Sequence, residues 1–171
     1  MATSRFLHLE IDAPKASPTP EELAAIEAAV GAPLTPELRD FLAVANGGKL
    51  DYTFELPTKS GSFPLCFYSL YATRFPLPGR PAAGLILHEL EVERRLKGLP
   101  AGLLPIAGGG GTSVLYVDLT PERRGQVVAW VEGLPGWDGT PEGCFVQIAP
   151  SLSSFVAGLY LNTVDEPRRG G

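Results

Sequence analysis

The tract Gly108-Gly109-Gly110-Gly111-Thr112-Ser113 offers consecutive unhindered N–H groups, the material of an anion cradle. A Walker phosphate loop needs Gly-Lys-Ser/Thr leading into a helix, and a dinucleotide loop needs a strand before it and a helix after. Here a strand pattern follows, so the tract reads as a flexible turn between strands. His88-Glu89 opens like the HExxH zinc helix, in which a second histidine four positions on puts both imidazoles on one face. Val92 stands at that position, and the only other histidine is His8. No metal site and no cofactor is expected, and His88 reads as an ordinary polar residue on a helix.

Nucleophilic chemistry fares little better. Ser60, Ser62, Ser69 and Ser113 fall in turns or strands, none of them in a GxSxG elbow. Cys66 or Cys144 paired with His88 is left open by the sequence, but nothing in the spacing positions such a pair. The bland reading is that both thiols are small core residues. Glu89, Glu91 and Glu93 alternate along a helical pattern, so they cannot share one face and read as solvated surface. Trp130 closes a strand pattern and reads as core. Trp137 lies in an acidic, glycine-rich loop, where an aromatic serves equally as packing or as a binding anchor.

The elements that must position these residues follow from periodicity. Thr19, Pro20 and Glu22 form a capping-box arrangement ahead of Leu23, Ile26 and Val30, and Gly31 ends that helix. Thr35-Pro36 starts a second helix in which Leu38, Phe41, Leu42 and Ala45 make one apolar stripe before Asn46-Gly47-Gly48. Tyr52, Phe54 and Leu56 then alternate with Thr53 and Glu55 as a strand, and Leu65 to Leu70 reads as the next one. A third helix is predicted over Ala83 to Lys97, with Leu85, Ile86, Leu90 and Leu96 on its apolar side.

Leu103 to Ile106 enters the glycine tract, and Ser113 to Leu119 and Gln126 to Val131 flank a turn as a hairpin. A proline-rich passage over Pro76 to Pro81 and a loop over Glu132 to Gly143 interrupt the pattern. Phe145 to Ile148 is one more strand, and Ser151 caps a last helix. Phe6 to Ile11 alternates weakly, as a strand or a tail. The expected division is 1–18 as N-terminal strand or tail, 19–162 as one domain, and 163–171 as a disordered tail.

Composition bounds the function. A length of 171 residues with 44% hydrophobic residues suffices for one core, and a formal charge of -5 argues against a nucleic-acid surface and leaves a basic partner open without naming one. Polar and charged residues break the N-terminal dozen, and no run is long and apolar enough for a bilayer, so a soluble cytoplasmic protein without a membrane partner is expected. Two cysteines with no CxxC or Cys/His cluster favour reduced thiols over a disulfide.

The order of motifs resembles the SMI1/KNR4 domains of the SUKH superfamily. The likeness begins at Pro20-Glu21-Glu22-Leu23 with Ile26 and Glu27, passes Gly31 and Leu34-Thr35-Pro36, and is sharpest at Phe41-Leu42 with Asn46-Gly47-Gly48. It continues through Phe67-Tyr68-Ser69-Leu70, Leu103-Leu104-Pro105-Ile106, Val114 to Leu119, Gly125 to Trp130, and Ser151 to Phe155. Two departures stand out: the glycine tract lacks the acid or amide common in the family, and Trp130 is followed by Val131 and Glu132 instead of Asp or His.

The resemblance implies an α+β fold with a central, mostly antiparallel sheet flanked by helices. It also implies a non-enzymatic protein-binding domain, foremost a bacterial immunity protein that neutralises a cognate toxin, often a nuclease. The alternative is a regulatory scaffold linked to cell-wall synthesis or signalling. As acids and aromatics near strand ends and loops, Asp51, Tyr52, Glu55, Asp118, Glu132, Trp137 and Asp138 are the expected contacts for a basic protein partner.

Overall fold

The computed structural model describes residues 5–58, 61–74, 79, 82–109, 113–131 and 144–161. Helix α1 (Pro20–Val30) carries the capping box in full: the Thr19 hydroxyl accepts from the Glu22 N–H, and the Glu22 carboxylate accepts from the Thr19 N–H. Thr35 caps α2 (Pro36–Val44) in the same way through the Leu38 N–H. The Glu27 carboxylate joins the two, accepting from the Leu34 N–H and pairing with Arg39. Ile26 and Val30 of α1, and Leu38, Phe41 and Leu42 of α2, are buried, so the stripes read from the sequence are the ones that pack.

The strands form two antiparallel sheets. One has three strands, with β1 (Tyr52–Thr58) between β2 (Gly61–Cys66) and β8 (Leu159–Leu161). The other follows the order β3 (Ser69–Leu70), β4 (Leu103–Gly108), β5 (Val114–Asp118), β6 (Val127–Val131) and β7 (Cys144–Ala149). Every residue of β4 and β5 is buried, which requires cover on both faces. Helix α3 (Ile86–Lys97) lies against β4, and α4 (Leu152–Ala157) places Phe155 against Phe54 of β1, with ring centroids 5.1 Å apart. The fold is α+β, as expected.

Several local expectations are corrected. Leu65 to Leu70 is not one strand: β2 ends at Cys66, and Ser69–Leu70 joins the other sheet. The chain changes sheets beside Gly109, where an added Cβ would lie 2.6 Å from the Cys66 carbonyl oxygen, so only glycine lets the two backbones pass. Phe6 to Ile11 is not a strand: a turn at Arg5 to His8 buries Phe6 edge-on to Phe41 at 5.4 Å while Leu7 is 65% exposed, and Leu9 to Ile11 is irregular. Pairing begins only at Asp12, in an isolated antiparallel bridge to Lys49.

Helix α3 starts at Ile86, and its buried stripe continues through Leu90 to Glu93, leaving Leu96 70% exposed. Glu93, expected in solvent, is 5% exposed because the polar groups beneath it, on Tyr116 and Lys97, make a buried carboxylate favourable there. Cys66, expected in the core, is an exposed free thiol on the outer face of β2 opposite Thr53. Trp130 is half-buried, 4.7 Å from the Phe145 ring and 5.2 Å from the Lys97 ammonium.

Asn46, Gly47 and Gly48 are the knot between segments. The fully buried Asn46 amide donates to the Ala16 carbonyl at 2.7 Å and to the Thr73 hydroxyl at 3.0 Å, and its oxygen accepts from the Thr73 N–H at 2.8 Å. Gly48 has φ +91°, and an added Cβ would meet the Asp12 carbonyl oxygen at 2.5 Å. The glycine thus permits the Asp12–Lys49 bridge that brings the N-terminal segment to the start of β1.

Candidate protein-binding surface

That bridge assembles a groove of about 400 Å³. Glu10 and Asp12 come from the N-terminal segment, Lys49 and Asp51 from the approach to β1, Tyr68 from the crossing between sheets, and Leu161 from β8. Backbone pairing holds four of them: Asp12 and Lys49 exchange N–H···O bonds of 2.9 Å, Leu50 donates to the Tyr68 carbonyl at 2.9 Å, and Tyr52 pairs with Leu161. Three carboxylates thus share the groove with one ammonium, which sits 5.8 Å from the centroid of the Tyr68 ring. Tyr68 and Leu161 are 41% and 43% exposed, so apolar area and negative charge lie side by side.

The structure separates the residues expected at a contact. Asp51 lines the groove. Tyr52 lies beneath it: its ring is buried, and its hydroxyl accepts from the Glu10 N–H at 3.0 Å, holding the N-terminal segment in place. Glu55 is on the outer face of the three-stranded sheet, where it accepts a hydrogen bond from Tyr160. That bond, ahead of desolvation, holds the Tyr160 phenol above its ordinary value. Asp118 is elsewhere, at the end of β5 and 4% exposed. Glu132, Trp137 and Asp138 lie outside the described residues, as does 162–171.

Sequence reasoning missed Glu10, Asp12, Lys49, Tyr68 and Leu161. Glu10 and Asp12 lie some forty residues from Asp51, and only the bridge at Gly48 joins them. Tyr68 was legible only as one aromatic in an apolar run; that its ring faces water follows from the change of sheet after Cys66.

The other chemical possibilities also find their places. Cys66 Sγ lies 3.3 Å from the Thr53 hydroxyl on the three-stranded sheet, and His88 is on α3; among the described residues no hydrogen bond joins them. The glycine tract has a strand on either side, β4 and β5, and not the strand-to-helix context of a phosphate loop. Among the described residues, no group of three or more His, Cys, Asp or Glu could hold a metal ion, and no helix is long and apolar enough to cross a membrane.

No curated protein matches the chain in sequence. Residues 17–158 match the SMI1 / KNR4 family (SUKH-1), a span from ahead of the Thr19 cap to the end of α4 that includes both central sheets apart from β8. The chain therefore belongs to the SMI1 / KNR4 family (SUKH-1).

Proposed function

We propose that this SUKH-1 domain works by binding another protein, as an immunity protein that neutralises a basic toxin domain such as a nuclease. The carrying observation is the groove that Glu10, Asp12 and Asp51 line together with Lys49, beside the exposed Tyr68 and Leu161. A nuclease presents a positive cleft to its phosphate substrate, and an acidic surface meets that cleft with the opposite potential. Such complementarity raises association rates by roughly ten- to a thousandfold at low salt. Tyr68 and Leu161 supply the area that water leaves on contact. The net charge of -5 supports the same reading from the whole chain.

The test is co-expression with the product of the neighbouring gene. Protection of the cell from that product, together with a stable one-to-one complex, is the expected result. No protection and no complex would overturn it, and capture of a host protein instead would move the domain to a regulatory scaffold.

A further inference from the structure

The turn between β5 and β6 builds a second cavity, of about 560 Å³, separate from the groove. Leu103, Val128 and Phe145 give it apolar walls. Asp118 also lines it and is locked from every side. Its N–H donates to the Gln126 carbonyl at 2.8 Å, and its carbonyl accepts from the Gly125 N–H at 2.7 Å. Its carboxylate Oδ1 accepts from both the N–H and the hydroxyl of Thr120, at 2.9 and 2.6 Å.

The second carboxylate oxygen, Oδ2, accepts no hydrogen bond among the described residues, although the residue is 4% exposed. A carboxylate has room for about four hydrogen bonds, and the half of that capacity that Thr120 does not use stays accessible from the cavity that Asp118 lines. The turn already spends Oδ1 on its own geometry. That oxygen is therefore available to a donor that enters the cavity, and a cation gives the strongest bond to it.

We propose that this cavity receives an arginine side chain of the partner protein, with Asp118 as its counter-ion. A guanidinium suits the walls better than an ammonium. It is flat, weakly hydrated, and can lay one face on the Phe145 ring while its edge points N–H groups at Asp118. The side-chain amides of Gln126 and Gln147, also in the wall, carry no hydrogen bond among the described residues and can accept the remaining donors. Arg123 stands exposed in the same wall without an ion pair to Asp118, as an internal competitor. The protein source of the arginine rests on the function proposed above; the site does not.

The experiment titrates the full isotope-labelled chain with N-acetyl-arginine amide, N-acetyl-lysine amide and free arginine, following backbone amide resonances. Shifts should centre on Thr120, Gln126 and Gln147, with the arginine mimic binding at least about fivefold tighter than the lysine mimic. Asp118→Asn keeps Oδ1 for Thr120, so the fold holds, and should weaken the arginine mimic about tenfold or more. Glu10→Gln, in the other groove, should leave it unchanged, and Arg123→Ala should tighten it.

Absent shifts, shifts centred on Asp12 and Asp51, or an Asp118→Asn variant that binds like the parent would overturn the site. Free arginine binding about tenfold tighter than the blocked mimic would overturn the protein source, since the blocked mimic has the peptide's uncharged ends. A chain that binds the mimic but protects no cell keeps this site and loses the immunity reading. Neutralisation undiminished in Asp118→Asn keeps the immunity reading and overturns the partner's arginine as the guest of this cavity.

Discussion

Tyr116 of β5 donates its phenolic hydrogen to the Glu93 carboxylate of α3, and neither side chain reaches bulk water. The same carboxylate accepts from the Lys97 ammonium at 2.8 Å, one helical turn on. Helix α3 is therefore fastened to the five-stranded sheet by a polar clasp inside an otherwise apolar contact. Removing one member strands the other two. Glu93→Ala should cost about 3–5 kcal/mol, the usual penalty for breaking a buried pair. Denaturant unfolding measures it, and a loss under about 1 kcal/mol would mean that water replaces the carboxylate without penalty.

The clasp also sets the alkaline limit. Burial, then the hydrogen bond to Glu93, drive the Tyr116 phenol far above its ordinary value; burial, then the charges of Glu89 and Glu93, do the same to Tyr71. Both phenols hold their protons in the folded state at pH values where an unfolded tyrosine, with a pKa of about 10, releases them. Their contribution to stability is complete below about pH 10 and declines as the pH rises beyond it. Tyrosinate absorbance should accordingly leave Tyr71 and Tyr116 untitrated until the chain unfolds, and Tyr116→Phe should remove its share of that pH dependence.

At the acid end the group to watch is Glu22. Desolvation pushes its carboxyl up, but hydrogen bonds from Thr73 and the Thr19 N–H, together with the Arg74 charge, outweigh it and hold the value below normal. That stabilisation is present above the unfolded value of about 4.3 and is lost as the pH falls through the folded one. Glu22→Gln should flatten the acid limb of a stability profile. Thr19→Ala, which removes the hydroxyl half of the capping box, should cost about 1 kcal/mol at neutral pH.

Asn46 and Gly48 should be the least replaceable residues of the scaffold. Asn46→Ala leaves the Thr73 N–H and the Ala16 carbonyl without their partner in a fully buried site, at a cost of about 2–4 kcal/mol. Gly48→Ala combines a strained positive φ with a Cβ on the Asp12 carbonyl, and should both destabilise the fold and release the N-terminal segment. Faster amide exchange at Asp12 and Lys49 would report the release. Unchanged exchange there would show the bridge to be held by something other than the glycine.

The groove predicts a charge effect without a stability effect. Glu10→Lys with Asp51→Lys should leave the unfolding free energy within about 1 kcal/mol, as expected for two exposed positions. Association with a basic partner should slow by about tenfold or more at low salt, with the difference shrinking as salt is added. Stopped-flow association rates across a salt series decide it. A uniform loss at all salt concentrations would point to lost packing instead of lost steering.

What the sequence determined by itself was local. Thr19, Thr35, Ser151 and Gly31 set helix ends, the alternation at Tyr52 to Leu56 set a strand and its buried face, and the order of motifs set the family. Each of these depends on neighbours within a turn or a hairpin, whose spacing is written in the chain. Tertiary structure alone decided which polar residues meet: Glu93 with Tyr116, Asn46 with Thr73, Glu10 and Asp12 with Asp51. It also decided that Cys66 and Tyr68 face outward and that Asp118 turns inward. Periodicity assigns a residue to a face of its own element, but whether that face meets water, a partner strand or a buried donor depends on elements distant in the chain. The candidate binding surface belongs to this second kind, because its acids come from separate segments that join only where Gly48 lets two backbones touch.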